Sequence, residues 1–467
     1  MFRRTDDRLP SGVEGLDRVL CGGLLRPSSY LLAGGPGTGK TVLGSQMAFH
    51  LAANDERIFF VSVLTEPYSH LLRNLSTFTF FDESRINRQI TFISAFSILE
   101  AQGLPGLEEM LRLSLPRSGA ALVVLDNIGM LSGYAQTPLD YRAFLQKTIA
   151  LATMSGATLV ASTDRPITEQ ATEYGSFDGV IELRQRRRGM RTFRTLEVRK
   201  SRGSFHLPGE HVFDILSDGL VVFPRQESGW KGAPADVLWP GRLSWGISGL
   251  DEMVGGVKRG SVTCLMGPTG SGKTTFCLAF AGEGLRRGEK VLFVSYHESA
   301  ARLVDAAGKV GIDLESGLRS GLLEVLWLPQ QEDFIDRQVA LILQRVEESR
   351  TTRLVLDGAD ALQRLFLFPD RVSLYWAMFF DQLRGKGVTT LFSSHGTLGR
   401  GFDDGQKTLP WSSIDNVLLI LYDARELHPR KVLHVAKTRG TGPAPRAGEL
   451  EITDSGLRLV PISQPTS

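Results

Sequence analysis

The chain has 467 residues, 42% hydrophobic and 22% charged, a composition that supplies real cores and excludes wholesale disorder. Lys and Arg (53) nearly balance Asp and Glu (51), so the formal charge of +2 excludes a global pull toward nucleic acid or membrane. At roughly 100 to 200 residues per domain the length predicts two or three units.

The N-terminus, MFRRTDDRLP, is charged from its third residue and lacks a following apolar run, so nothing marks secretion. No uncharged run has the length to span a bilayer, and the cytoplasm is the expected location. Cys21, Cys264 and Cys277 have no CxxC spacing; they fit a reducing compartment and read as small buried hydrophobes.

Along the first half, the apolar runs IFFVSV (58–63), ITFISA (90–95), ALVVLD (121–126) and ATLVAS (157–162) read as buried strands between amphipathic stretches. TFRTLEVRK (192–200) adds a closely spaced strand. The stretch 225–240, RQESGWKGAPADVLWP, breaks the periodicity with Gly, Pro and small polar residues and reads as a linker. VLFVSY (291–296), RLVLD (353–357), TTLFSS (389–394) and KVLHVAKTR (431–439) then repeat the pattern. Alternating strands and helices predict an α/β fold: two tandem units, 1–224 and 241–467, each a mainly parallel sheet covered by helices, with an antiparallel extension.

The repetition reaches individual residues. LPSGVEGLDRVLCGGLLRPSSYLLAGGPGTGKT (9–41) parallels LSWGISGLDEMVGGVKRGSVTCLMGPTGSGKT (243–274), and KSRG (200–203) answers KTRG (437–440). Lys40 and Lys273 are 233 residues apart, Asp126 and Asp357 231, and Lys200 and Lys437 237, so one unit is written twice.

GGPGTGKTV (34–42) and GPTGSGKTT (267–275) match G-x-x-x-x-G-K-[ST] between an apolar run and a helix, a loop whose backbone N–H groups cradle polyphosphate. Gly35, Pro36, Gly37, Thr38, Gly39, Lys40, Thr41 and Val42 form the first cradle. Pro268, Thr269, Gly270, Ser271, Gly272, Lys273, Thr274 and Thr275 form the second. Lys40 and Lys273 are expected to reach the β- and γ-phosphates of ATP, and Thr41 and Thr274 to bind Mg²⁺. Asp126 and Asp357 end apolar strands at the ligand crevice and fit the metal's other protein contact.

The ordered set G-[IV]-x-G-L-D, P-loop, Asp-terminated strand and K-x-R-G, present twice, resembles the KaiC family of RecA-like ATPases over nearly the whole chain. GVEGLDRVL (12–20) and GISGLDEMV (246–254) look like that family's opening motif. The resemblance implies a double-ring homo-hexamer with ATP at subunit interfaces, where Lys200 and Arg202, then Lys437 and Arg439, reach the neighbour's nucleotide. These four also fit a solvated hairpin charge.

Hydrolysis needs a carboxylate to orient water, and the family places two adjacent glutamates after the strand that follows the P-loop helix. FFVSVLTEP puts Leu64 and Thr65 at that pair, with Glu66 one place late; LFVSYHES puts His297 first and keeps Glu298 second. A one-residue shift turns a side chain away, so Glu66 reads as catalytic or as a surface carboxylate, and Glu298 is the stronger candidate. His297 reads as a phosphate contact or as a strand end. Losing a positioned base costs about 10²- to 10⁴-fold in rate, so binding survives where turnover slows. Thr163 and Asp164, then Ser394 and His395, follow the last central strand, where RecA-like enzymes sense the γ-phosphate; they read equally as simple strand ends.

The family's clock protein phosphorylates a Ser-Thr pair that falls here on Trp411 and Ser412 and is incomplete; self-phosphorylation at Ser412 or Ser413 stays open. The clock protein's long C-terminal tail does not follow VPISQPTS, and a non-clock member is expected. ELRQRRRGMRTFR (182–194) holds six arginines, a candidate nucleic-acid hairpin, but only Phe193 offers an aromatic face and the second half has no counterpart. Three functions compete: a signalling ATPase ring read by a protein partner, a nucleic-acid-dependent ATPase, and a nucleotide-stabilised scaffold with little turnover.

Overall fold

Each apolar run of the repeat becomes a strand. The computed structural model describes residues 8–63, 68–165, 171–232, 239–329, 333–396, 411–423, 430–439 and 446–462. The chain divides into two units, Met1–Gly229 and Trp230–Ser467.

The first unit holds a nine-stranded sheet: β1 (Ser29–Ala33), β2 (Ile58–Ser62), β3 (Ile90–Ser94), β4 (Leu122–Asp126), β5 (Thr158–Thr163), β6 (Gly179–Arg188), β7 (Arg191–Ser201), β8 (His211–Leu216) and β9 (Gly219–Phe223). Their spatial order is β3-β2-β4-β5-β1-β6-β7-β8-β9. Neighbours from β3 to β6 are parallel, and β7, β8 and β9 add antiparallel hairpins. The second unit repeats this with β10 (Val262–Met266), β11 (Val291–Ser295), β12 (Leu323–Trp327), β13 (Arg353–Asp357), β14 (Thr389–Ser394), β15 (Asn416–Asp423), β16 (Arg430–Thr438), β17 (Arg446–Thr453) and β18 (Gly456–Pro461). Its order is β12-β11-β13-β14-β10-β15-β16-β17-β18. This is the tandem RecA-like organisation that the sequence predicts.

The central parallel strands β1, β2, β4 and β5, like β10, β11, β13 and β14, are buried at nearly every position because both faces are covered. In β1, Tyr30 and Leu32 join one core with Leu43, Met47 and Phe49 of the P-loop helix, Lys40–Ala53. Leu31 joins the opposite core with Leu107, Leu111, Tyr141 and Phe144. In β10, Cys264 packs toward Val339, Ile342 and Trp376, and Leu265 packs toward Phe276 and Phe280. Cys264 and Cys277 are buried as expected, but Cys21 is exposed: it follows the short helix Leu16–Val19 in a turn at φ 54 that points it away from the core.

Local signals set the helix ends. Helix Pro138–Met154 starts with Pro at its first position behind Thr137, whose hydroxyl accepts from Asp140 N–H (3.2 Å) while Asp140 accepts from Thr137 N–H (2.9 Å). In the opening motif, Asp17 accepts from Ser11 N–H (3.0 Å) and Asp251 from Trp245 N–H (3.0 Å), so this aspartate clamps its own loop. Among the described residues, no helix is long and apolar enough to cross a membrane.

Candidate functional site

In both units the central strand ends at a glycine-rich loop that opens a helix. Gly39 (φ 104) and Gly272 (φ 100) hold the last loop position in left-handed conformation. A Cβ on Gly39 would lie 2.8 Å from Ile215 Cδ1, and one on Gly272 3.0 Å from Ile452 Cδ1, contacts that a side-chain shift could relieve, so it is the left-handed backbone that demands glycine. The helices Lys40–Ala53 and Lys273–Arg286 follow with their free N–H groups at the loop, where phosphate is favoured.

Lys40 Nζ donates to the carbonyls of Gly34 (2.7 Å) and Gly35 (2.9 Å); Lys273 Nζ donates to Gly267 (2.7 Å) and Pro268 (2.8 Å). Burial pushes both ammonium groups below the ordinary lysine value, opposed by Asp164 and Asp126 in the first site and by Asp357 and Asp360 in the second. Phosphate oxygens would compete with these carbonyls for the same cation.

The aspartates end β4 and β13. Asp126 is buried, accepting from Thr41 Oγ1 (2.9 Å) and from Ser162 Oγ (2.5 Å); Asp357 accepts from Thr274 Oγ1 (2.8 Å) and Ser393 Oγ (2.6 Å). Burial pushes the Asp126 carboxyl above its ordinary value, opposed by Ser162, Thr41 and Lys40. A threonine hydroxyl beside a carboxylate at a phosphate cradle is an all-oxygen set that fits Mg²⁺, which takes one or two protein oxygens plus phosphates and waters. Bound there by Thr41 and Asp126, or Thr274 and Asp357, the ion would neutralise charge on the terminal phosphates.

Sequence reasoning missed the serines that fix these carboxylates. Ser162 also accepts from Asn127 N–H (2.8 Å) and Ser393 from Gly358 N–H (2.7 Å), tying the aspartate to the backbone just beyond it. The signal was a serine one position before the residues singled out as phosphate sensors. Those neighbours make local bonds: Thr163 Oγ1 accepts from Arg165 N–H (3.3 Å), and Ser394 Oγ donates to Asp360 (2.6 Å). Asp360, also unforeseen, accepts from His395 N–H (2.6 Å).

Ser295, level with Asp357 on the adjacent strand, accepts from Glu298 N–H (3.0 Å), which roots the half-buried Glu298 at the rim of the site. His297 lies against Gly358: a Cβ there would be 2.5 Å from His297 Nε2. Glu66, Leu64 and Thr65 lie outside the described residues.

The K-x-R-G residues stand at the other end of each sheet. Lys200 Nζ donates to the carbonyls of Tyr174 (2.7 Å) and Phe177 (2.6 Å) ahead of β6, where Asp178 also accepts from Ser29 N–H (3.1 Å) at the start of β1. Lys437 Nζ donates likewise to Trp411 (2.7 Å) and Ile414 (2.7 Å), while Asp415 accepts from Val262 N–H (2.9 Å) at the start of β10. Arg202 lies 3.9 Å from Asp178 and Arg439 3.4 Å from Asp415. The P-loops follow the opposite ends of β1 and β10, so these basic residues are remote from their own chain's cradle.

Part of the arginine hairpin is paired with carboxylates within its own sheet. Arg184 pairs with Glu182 (2.5 Å), Glu197 (3.1 Å) and Glu210 (2.8 Å), Arg186 donates to Glu210 (2.8 Å), and Phe193 is buried. Ser412 is exposed, and its carbonyl accepts from Arg439; the Ser413 carbonyl accepts from Arg384 (2.8 Å).

A family model described as "ATPase: KaiC" matches twice, over residues 9–227 and 243–464. The chain belongs to the KaiC ATPase family. Relatives named circadian clock oscillator protein KaiC include one from Prochlorococcus marinus (strain MIT 9313), 28% identical over 471 residues, covering 97% of this chain and 92% of the relative. One from Picosynechococcus is 29% identical over 367 residues, covering 75% and 70%, and one from Prochlorococcus marinus subsp. pastoris is 30% identical over 371 residues, covering 76% and 72%. Each KaiC match spans one cradle, one threonine-aspartate pair and one K-x-R-G.

Proposed function

We propose that this KaiC-family chain binds MgATP at both P-loops and hydrolyses it slowly, in a homo-hexameric ring whose nucleotide state is read by a signalling protein. The observation that carries the reading is the duplicated cradle, in which Lys40 with Thr41–Asp126–Ser162 recurs as Lys273 with Thr274–Asp357–Ser393. The remoteness of Lys200, Arg202, Lys437 and Arg439 from their own P-loops supports their action in trans, which links chemistry to assembly. The second site carries Glu298 as its candidate water-orienting carboxylate. Partners read the ring when γ-phosphate contacts bias its interfaces.

Nucleic acid is not favoured as the partner, because Arg184 and Arg186 already face carboxylates. The relatives' oscillator role is not carried over, since Trp411 stands at the first position of the phosphorylated pair. Phosphate release by wild type and by Lys40→Ala, Lys273→Ala and the double variant tests the reading. Turnover that falls in each single variant and vanishes in the double supports an ATPase; wild type no faster than the double, yet retaining ATP, makes it a scaffold.

A further inference from the structure

The residue after the metal-site aspartate differs between the units in a way that the neighbouring strand compensates. In the first unit it is Asn127, held left-handed at φ 66, with its N–H on Ser162. In the second it is Gly358, at φ 82, with its N–H on Ser393. The two turns thus share a left-handed residue and the same serine bond, and the side chain that Asn127 carries in one site is absent at Gly358 in the other. His297 takes that place: its Nε2 and Cδ2 lie 2.5 and 2.6 Å from where a Cβ on Gly358 would stand. Asparagine and the histidine ring exclude one another there, so each site holds one polar side chain at this place, delivered from beyond the end of a different strand. Asn127 Oδ1 is buried without a hydrogen-bond partner among the described residues, which marks it as an acceptor awaiting a donor.

We propose that Asn127 and His297 are functional counterparts, each accepting a hydrogen bond from a water of the bound Mg²⁺ beside Asp126 or Asp357. The proposal rests on MgATP occupying both cradles. Mg²⁺ keeps several waters, whose protons need acceptors, and such outer contacts are worth about 10- to 100-fold in metal affinity. Oδ1 of an amide and a ring nitrogen of neutral imidazole both serve. At the first glutamate position of the second site, His297 is thus a positioning residue for the metal's water.

The test uses the full chain with one cradle disabled, Lys40→Ala to isolate the second site and Lys273→Ala to isolate the first. Binding of a fluorescent ATP analogue is followed against Mg²⁺ concentration, with binding in excess chelator and the nucleotide-free melting temperature as controls for structural damage. His297→Leu and Asn127→Gly are expected to raise half-saturating Mg²⁺ about 10- to 100-fold in their own sites, with metal-free binding unmoved. His297→Asn is expected to recover most of the loss. Gly358→Asn alone is expected to weaken the site because the new side chain meets His297. Combined with His297→Leu it rebuilds the first site's arrangement, and asparagine tolerates that backbone as Asn127 does, so the double variant is expected to bind Mg²⁺ better than either single one.

An unchanged Mg²⁺ dependence in His297→Leu and Asn127→Gly, or a double variant no better than His297→Leu, overturns the proposal. Should the otherwise unaltered sites show no Mg²⁺-dependent binding, the MgATP reading itself fails, a result told apart because it precedes any change at Asn127 or His297.

Discussion

A chain lacking its own cradle should rescue a chain lacking its trans residues. From Ser29, bonded to Asp178, to Ala33, below the P-loop, β1 rises four steps of about 3.3 Å, roughly 13 Å, and Lys200 hangs from carbonyls at the lower end. That exceeds what a lysine side chain covers, so Lys200→Ala/Lys437→Ala chains keep intact cradles, and Lys40→Ala/Lys273→Ala chains keep intact trans residues. A trans basic group is worth about 10³- to 10⁵-fold in kcat, so each variant alone should be nearly inert. Mixed in equal amounts before assembly, an active site needs a cradle from the first kind and a neighbour of the second. Chance pairing supplies this at about one quarter of head-to-tail interfaces. Phosphate release should return to about a quarter of wild type, with co-assembly checked by mass. A co-assembled mixture no faster than its separate components would refute completion in trans.

Three further outcomes follow from the same geometry. Asp126→Asn and Asp357→Asn should each weaken Mg²⁺-dependent nucleotide retention in their own unit by at least about 10- to 100-fold, measured by metal titration. Asp336→Ala removes a buried carboxylate bonded to Arg371 (2.8 and 3.0 Å) and should cost about 3 to 5 kcal/mol, read from denaturant unfolding of the second unit. Burial pushes the phenols of Tyr30, Tyr141 and Tyr296 above the ordinary tyrosine value. Their stabilisation is whole below about pH 10, the unfolded value, and is lost as pH climbs above it. Alkaline titration should therefore show these three of the eight tyrosines ionising only as the chain unfolds.

The β1–P-loop–helix unit was legible because sterically fixed glycines, a lysine and a threonine must stand at set spacings. Asp126 and Asp357 were legible because each closes an apolar run. The predicted runs became strands within a residue or two, since full burial on both faces leaves unbroken apolar sequence. Ser162, Ser393 and Asp360 were not legible: a serine inside a buried strand looks like any small residue until its neighbour's carboxylate is placed beside it. The pairing of Gly358 with His297 escaped notice for a related reason, as it joins residues 61 positions apart, just beyond the ends of adjacent strands. The pairing of Arg184 and Arg186 was only partly legible: Glu182 lies in the same stretch, but Glu197 and Glu210 arrive from β7 and from the turn before β8.

Equilibrium binding of labelled ATP, with and without Mg²⁺, probes the duplicated cradle most directly. Two magnesium-dependent nucleotides per wild-type chain, one in Lys40→Ala or Lys273→Ala, and none in the double variant are expected. A wild-type chain that retains no nucleotide when the metal is supplied would contradict the account at its root.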